Sequence, residues 1–203
     1  MSNYIFLFDL DATITRQEIF PTIAKETGIY NEIQNSNLGQ NSINEQIPFK
    51  HLFLEQINLL KNIPVSVIQE MIYNIELNTK LVQFIQDNKT RSYIVTGCLD
   101  VWIEKLIHKL GMEKNLFCSK AILGGGGYIQ DVFSIIDKNA IICQMILPFV
   151  AVGNGNNDAE MIDAAEVGIG YGGVRSISFS VMECASHIIY HEEKLVNFLN
   201  KLL

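Results

Sequence analysis

The stretch YIFLFDLDATIT, residues 4–15, decides how this chain folds. An uninterrupted apolar run from Tyr4 to Phe8 predicts a strand buried on both faces, and it ends at two acids, Asp9 and Asp11. Open α/β sheets bind their ligands at the carboxyl ends of their strands, so a site is expected here. Strand geometry turns both carboxylates to one side, where each raises the cost of ionising the other unless a cation or an acidic proton intervenes. Taken alone, the pair fits either a metal site or a turn with two solvated acids.

Composition limits the classes of function. The chain has 203 residues, 48% of them hydrophobic, enough for a substantial core in one domain with at most a sizeable insertion. A net charge of −7 without a basic run argues against a nucleic-acid binder or a protein of anionic membranes. The four cysteines form no C-x-x-C pair, which favours a reduced, cytoplasmic setting over a zinc site or disulfides. Neither a signal peptide nor an apolar run of about 18 residues is found, and the oligomeric state is left open.

Strands and amphipathic helices alternate along most of the chain. Buried strands are predicted at 92–95 and 149–152, β structure at 116–123 and short strands at 167–170 and 188–190, with amphipathic helices between them. No repeat recurs at a fixed period. This alternation is typical of an α/β fold with a Rossmann-like, doubly wound and mainly parallel sheet.

Residues 16–78 interrupt the alternation. They are mostly helical, with apolar stripes in 49–60 and after Pro64, and they contain no clear strand. A polar stretch at 31–44, rich in Asn, Gln and Ser, predicts a loop. The sequence therefore predicts a helical cap over residues 16–78, inserted into a Rossmann-like core of residues 1–15 and 79–203.

Local signals predict two helix starts and one turn. Asp100 is placed as the N-cap of a helix that Gly111 ends, and Lys138 begins a helix through Ile146. The glycine run 124–127 lacks the Lys-Ser/Thr ending of a phosphate-cradling loop and opens no helix. It predicts a hairpin turn instead.

Polar groups follow three of the predicted strands. Asp9 and Asp11 end the first, Thr96 ends the second, and Asn154 and Asp158 follow a late one. The carboxyl ends of strands in a doubly wound sheet meet along one edge, so these side chains are expected to converge. Lys138, before a helix, could add a positive charge to the same crevice.

Four segments of the sequence resemble the motifs of a known family. F-D-L-D-A-T, V-T-G, a downstream lysine and G-N-G-N-N-D are similar to the four motifs of the haloacid dehalogenase superfamily of aspartate-nucleophile hydrolases, over most of the chain. The phosphoserine phosphatase group is the most similar within it. Glu18 has that group's spacing after the first motif, PFKHLFLEQINLLKNIP resembles its cap sequence, and G-Y-G-G-V-R resembles its tail.

The resemblance implies a role for each motif residue. Asp9 would attack phosphorus to form an aspartyl-phosphate, and Asp11 would protonate the leaving alcohol and then activate water. Mg²⁺ would be held by Asp9, the Asp11 carbonyl and the Asn154 side chain. Thr96 and nearby backbone N–H groups would bind phosphoryl oxygens, while Lys138 neutralises charge. Further candidates are, for substrate binding, Glu18, Gln56, Gly97 and Cys98, and, as supports, Asn157 and Asp158.

The chain departs from the family pattern at three positions. Asn154 stands where the pattern usually has Asp, which predicts a weaker metal site, altered chemistry or an inactive protein. Gln56 stands where an arginine would clasp the substrate carboxylate, which makes phosphoserine doubtful as the substrate. Cys98 replaces a second glycine and is either a pocket residue or a packed thiol, and Glu18 is either an amine contact or a surface charge. Arg16 and Arg175 are candidate replacement cations.

The sequence thus favours a Mg²⁺-dependent phosphatase that hydrolyses a small phosphorylated metabolite. Asp11 supports phosphate over halide chemistry, because expelling an alkoxide needs an acid whereas expelling a halide does not. Two alternatives are kept. One is a catalytically weak or inactive protein of the same fold that binds a phosphorylated ligand, and the other is phosphoryl transfer to a different acceptor.

Overall fold

A computed structural model of the protein describes residues 4–30, 49–146 and 148–203. The sheet has seven strands in the order β4-β3-β2-β1-β5-β6-β7. The strands are β1 (Ile5–Phe8), β2 (Ser92–Leu99), β3 (Leu116–Leu123), β4 (Ile129–Ser134), β5 (Phe149–Gly153), β6 (Val167–Tyr171) and β7 (His187–Ile189). The predicted loop at 31–44 lies outside the described residues.

The first strand is the centre of the sheet. It pairs in parallel with β2 on one side, where Phe8 is opposite Ile94, and with β5 on the other, where Phe8 is opposite Val152. Phe6, Leu7 and Phe8 are fully buried, as the apolar run predicted. Among the seven described strands, β3 and β4 form the one antiparallel pair, and their turn is the glycine run 124–127. The α/β, mainly parallel sheet is therefore confirmed, and so is the hairpin.

Helices cover both faces of the sheet. They are α1 (Ile19–Glu26), α2 (Phe49–Leu60), α3 (Val65–Tyr73), α4 (Thr79–Asp87), α5 (Asp100–Leu110), α6 (Lys138–Ile142), α7 (Ala159–Asp163), α8 (Phe179–Cys184) and α9 (Glu192–Lys201). Phe6 and Phe8 belong to one buried apolar cluster and Leu7 to a second. Successive side chains of β1 thus pack into cores on opposite faces, as a doubly wound fold requires. Every helix that the structure describes is too short or too polar to cross a lipid bilayer.

The helices α1, α2 and α3 are those that the sequence assigned to a cap. Helix α3 is fastened to core helix α5, because Gln69 donates to the carbonyl of Val101 at 2.8 Å and Lys105 pairs with Glu70 at 2.9 Å. The chain returns to the core at Asn78, whose backbone N–H donates to the carbonyl of Ile14 at 2.9 Å. The division into a core of 1–15 and 79–203 and a cap of 16–78 stays a prediction.

Two local predictions were wrong in detail. Leu99, not Asp100, is the N-cap of α5; the Asp100 carboxylate instead accepts from the N–H groups of Val101 at 2.8 Å and Ala121 at 3.1 Å. The helix that begins at Lys138 ends at Ile142 rather than Ile146. Ile146 is 96% exposed, so its apolar side chain contributes nothing to packing. Pro148 also disfavours a helix that runs into it.

Candidate active site

A buried lysine links two of the predicted site residues. Lys138 Nζ donates to Asp9 Oδ1 at 2.7 Å and to Asp158 Oδ1 at 2.5 Å, and all three side chains are at least nine-tenths buried. Burial and the charge of Asp158 together raise the pKa of Asp9 to about 7, against the lowering effect of Lys138. Burial alone would lower the pKa of Lys138, but the Asp158 and Asp9 carboxylates hold it well above its usual range. The lysine is therefore a fixed cation beside the carboxylate at the end of β1.

Asp158 also organises the loop after β5. Its Oδ2 accepts hydrogen bonds from the backbone N–H groups of Asn154 and Gly155, both at 2.8 Å. A Cβ at Gly153 would overlap this carboxylate, so the last residue of the strand has to be glycine. One side chain thus shapes the G-N-G-N-N-D turn and at the same time fixes Lys138.

Asp11 lies beside Asp9, at the N-terminus of the first cap helix. Its Oδ1 accepts from the backbone N–H of Ile19, the first residue of α1, at 2.7 Å. Burial raises the pKa of Asp11 to about 6, against the lowering effect of this hydrogen bond. Between the acid and the helix, Ala12 has a φ of 54°, unusual for a residue with a side chain. Its N–H donates to Thr15 Oγ1 at 2.9 Å, which holds the turn.

The amide of Asn154 bonds the turn after Asp9. Its Nδ2 donates to the carbonyl of Ala12 at 3.0 Å and to Thr13 Oγ1 at 2.9 Å, and the carbonyl of Asp11 is 3.4 Å away. Within the described part of the chain, Asn154 Oδ1 accepts no hydrogen bond. The amide nitrogen therefore links the loop after β5 to the turn after β1. The amide oxygen remains available to accept a hydrogen bond or bind a cation.

The oxygen atoms near the end of β1 are of the types that a hard divalent cation binds. Asp9 Oδ2, the carbonyl of Asp11 and Asn154 Oδ1 are the donor types that Mg²⁺ takes in proteins. No group of three or more His, Cys, Asp or Glu side chains suited to a metal occurs in residues 4–30, 49–146 and 148–203. The donor set is thus one carboxylate, one carbonyl and one amide. It suits Mg²⁺ in chemistry but carries one negative charge fewer than a set with two carboxylates.

The end of β2 supplies the next wall of the crevice. Thr96 is buried, and its Oγ1 accepts from the N–H of Cys98 at 3.3 Å. Burial raises the pKa of the Cys98 thiol, and Asp11 and Asp9 raise it further, so the group is a neutral thiol close to both acids. A Cβ at Gly97 would overlap the ring of Phe49, the first residue of α2. The Phe49 ring of α2 therefore packs against Gly97.

Glu18 and Arg175 form an ion pair near Asp11. Arg175 Nη1 lies 2.7 Å from Glu18 Oε1, and the two side chains are 36% and 39% exposed. Glu18 raises and Arg175 lowers the pKa of Asp11, which places the pair beside that acid. Asn157 and Gln56 are both half-buried, and neither side chain makes a hydrogen bond to another described residue. Arg16, the other candidate cation, is exposed.

The structure brings the candidates of all four motifs to one edge of the sheet, although their chemical roles stay predictions. Sequence reasoning missed three residues that hold the site: Thr13, Thr15 and Asn78. Asn78 is 2% exposed, and its Nδ2 donates to the carbonyl of Thr13 at 2.8 Å across the boundary between cap and core. A polar residue at the predicted end of the cap was the available signal. Nothing in the sequence pointed to the Thr15 hydroxyl.

Comparisons with known proteins agree with this geometry. No family model matches the chain. It is 28% identical over 180 residues to "Phosphoserine phosphatase" of Archaeoglobus fulgidus, covering 82% of this chain but only 52% of that relative, so it spans about half of that protein's length. It is 27% identical over 181 residues to "Phosphoserine phosphatase" of Methanocaldococcus jannaschii, covering 82% and 84% of the two chains.

The solved structures that resemble the chain have the same fold. The structure titled "Phospho-Aspartyl Intermediate Analogue of Phosphoserine phosphatase" aligns with a TM-score of 0.80 at 22% identity, covering 98% of this chain and 99% of that one. The four motif segments, their convergence at one sheet edge and the similarity to curated phosphoserine phosphatases support, for this chain, the haloacid dehalogenase superfamily and its phosphoserine phosphatase-like group.

Proposed function

We propose that the protein is a phosphatase that hydrolyses a small phosphate monoester through an aspartyl-phosphate on Asp9. The observation that carries this proposal is the buried Lys138 held between Asp9 and Asp158. The lysine occupies Asp9 Oδ1, and no described residue donates to Oδ2, so one carboxylate oxygen is free to attack. A fixed cation next to a nucleophilic carboxylate also offsets the charge that an incoming phosphate brings.

In the first step, Asp9 Oδ2 attacks phosphorus, and the bond between phosphorus and the ester oxygen breaks. The leaving oxygen takes a proton from Asp11, whose raised pKa of about 6 makes a protonated carboxyl available close to neutral pH. In the second step, Asp11 takes a proton from water, the water oxygen bonds to phosphorus, and the bond to Asp9 breaks. The products are the alcohol and inorganic phosphate, and both acids are restored.

Other residues of the chain would bind and orient the ester. The hydroxyl of Thr96 and the backbone N–H of Gly97 would donate to phosphoryl oxygens, with Asn157 as a further donor. The hydrogen bond from Ile19 fixes the Asp11 carboxyl for proton transfer. Mg²⁺, held by Asp9, the Asp11 carbonyl and Asn154, would supply further charge neutralisation. Residues 16–78, as the cap, would limit the size of the substrate and exclude water.

The test is hydrolysis of para-nitrophenyl phosphate with and without Mg²⁺. The wild type is expected to turn it over only with the metal, and Asp9→Asn should abolish turnover because an amide cannot form the intermediate. Asp131→Asn is the matched control, since Asp131 is exposed on β4. Turnover retained in Asp9→Asn would refute the mechanism.

A second function is favoured by one observation. The Nδ2 of Asn154 already satisfies the oxygens of Ala12 and Thr13 without a cation, so the site is stable as a metal-free binding pocket. In that case the protein would bind a phosphorylated ligand without cleaving it. Calorimetric binding of orthophosphate to the wild type, without turnover of any ester across metals and pH, would favour this second function.

A further inference from the structure

The hydroxyl of Thr15 links two backbone groups of the turn after β1. Thr15 is fully buried, and its Oγ1 accepts from the backbone N–H of Ala12 at 2.9 Å. The same oxygen lies 2.8 Å from the carbonyl of Gln17 and 3.2 Å from that of Leu10. The Leu10 carbonyl already accepts from the N–H groups of Ile14 and Thr15, both at 3.0 Å, so the single hydroxyl proton goes to Gln17. Thr15 Oγ1 is therefore an acceptor on one side and a donor on the other.

These two backbone groups control both the main chain and the carboxylate of Asp11. The Ala12 N–H belongs to the peptide unit that joins Ala12 to Asp11, so the first hydrogen bond fixes the main chain of the acid. Gln17 lies two residues before Ile19, whose N–H donates to Asp11 Oδ1 at 2.7 Å. The second hydrogen bond therefore fixes the segment that carries the donor to the carboxylate.

The backbone around Thr15 is anchored without its side chain. Thr15 is opposite Leu77 in an antiparallel bridge, and the N–H of Arg16 donates to the carbonyl of Glu76 at 2.7 Å. Ala12, by contrast, has a φ of 54°, which residues with a side chain rarely adopt. Removing the hydroxyl should therefore leave the turn folded but let the peptide between Asp11 and Ala12 relax.

We infer that Thr15 is a positioning residue for proton transfer by Asp11, because its hydroxyl keeps the Asp11 carboxyl in place for the leaving oxygen. This inference rests on the proposed phosphatase function and deepens it. In the first step the proton passes from Asp11 to the ester oxygen as the bond between phosphorus and that oxygen breaks. A carboxyl that is held less firmly transfers the proton more slowly. The loss should be largest for leaving groups that need the proton most.

Esters of similar size with different leaving groups test this inference, with Mg²⁺ present. Para-nitrophenyl, phenyl and benzyl phosphate each carry one ring, and their leaving oxygens become more basic in this order. The nitrophenolate departs without a proton, whereas the benzyl alkoxide needs one. Thr15→Val keeps nearly the same shape and removes the hydroxyl. Its kcat/KM for benzyl phosphate should fall about tenfold relative to para-nitrophenyl phosphate, a fraction of what a whole general acid contributes.

The aspartyl-phosphate is the same for all three esters, so the kcat/KM ratio reports on the first step alone. Thr15→Ser keeps the hydroxyl and should keep the wild-type ratio, whereas Thr15→Ala should behave like Thr15→Val. Thr27→Val is the matched control, since Thr27 Oγ1 donates to the carbonyl of Ile23 at 2.7 Å at the other end of α1. Its ratio should equal that of the wild type. If Thr15→Val slows all three esters by one common factor, Thr15 is merely structural and the inference is overturned.

Amide hydrogen exchange, followed by NMR, gives a second measurement that needs no turnover. Exchange of the Ile19 N–H should be about tenfold faster in Thr15→Val than in the wild type or Thr27→Val, because its hydrogen bond to Asp11 loosens. Unchanged Ile19 exchange in Thr15→Val would also overturn the inference, while hydrolysis of para-nitrophenyl phosphate by the wild type stands. Absence of hydrolysis of every ester by the wild type would instead refute the phosphatase, and Ile19 exchange would still decide whether Thr15 fixes Asp11.

Discussion

Replacing Asn154 by Asp should make the stability of the protein depend on a divalent cation. The Asn154 amide donates to the carbonyl of Ala12 at 3.0 Å and lies 3.4 Å from that of Asp11. A carboxylate cannot donate, so Asn154→Asp places a charged acceptor against two acceptors. The Thr13 hydroxyl, at 2.9 Å, can reverse its direction and donate to the new carboxylate, which limits the damage.

The size of the effect follows from these contacts. Loss of the Ala12 hydrogen bond, with a buried carbonyl left unpaired, costs about 1–3 kcal/mol, and repulsion from Asp9 adds to it. In a chain of this length, ~1 kcal/mol shifts the Tm by about 2–4 °C. Without divalent metal, Asn154→Asp is therefore expected to unfold about 4–10 °C below the wild type.

A bound cation replaces the repulsion between the new carboxylate and its neighbouring oxygens with attraction, because the carboxylate becomes a charged metal ligand. Thermal unfolding is measured in EDTA and across a Mg²⁺ titration, where a ligand at 100 times its Kd stabilises by about 2.7 kcal/mol. Asn154→Asp should regain most of its lost stability at lower Mg²⁺ than the wild type needs for any shift. Asn156→Asp is the control, since Asn156 is in the same loop and exposed. Equal Mg²⁺ dependence in Asn154→Asp and the wild type would refute the reasoning.

Three further substitutions test the site through stability. The fold raises the pKa of Asp9 from 3.8 to about 7, so between these pH values the native state keeps a proton that the unfolded chain releases. The free energy of unfolding therefore falls as the pH rises from 3.8 to about 7. In EDTA, Asp9→Asn should therefore be more stable than the wild type at about pH 8, with the gap closing towards about pH 4; a gap independent of pH would contradict this. Lys138→Met leaves the Asp9 and Asp158 carboxylates buried without their cation and should cost about 3–5 kcal/mol in urea unfolding at neutral pH, and less in acid, where Asp9 takes up a proton. Asn78→Ala removes the bond to the Thr13 carbonyl and should cost about 1–3 kcal/mol, whereas the same change at exposed Asn58 should cost almost nothing.

The architecture could be predicted because it rests on short-range patterns. The apolar run before Asp9 indicated a buried strand, and the same signal marked the strand that contains Thr96 and the strand that ends before Asn154. Parallel strands then bring their carboxyl ends together without further information. For this reason the sheet and the meeting of the motif residues followed from the sequence.

The contacts that adjust the site could not be predicted in the same way. The pairing of Glu18 with Arg175 spans 157 positions of sequence, and no local periodicity reports on it. The direction of the Asn154 amide depends on carbonyls of a turn in which Ala12 has a positive φ. Helix α6 ends at Ile142, although the apolar spacing continues to Ile146. Because the Ile146 side chain is exposed, its burial does not stabilise a longer helix.

Asp158 divides its two oxygens between different tasks, one holding the lysine and the other two backbone N–H groups of the turn. An amide at position 158 could not do both, since its nitrogen would face donors on one side or the other. Position 154 has no such constraint, because an amide there is compatible with the folded turn. Substitutions at position 154 can therefore change how the site binds a cation while the loop stays folded. Position 158 needs an aspartate for the loop itself, even in a protein that has lost catalysis.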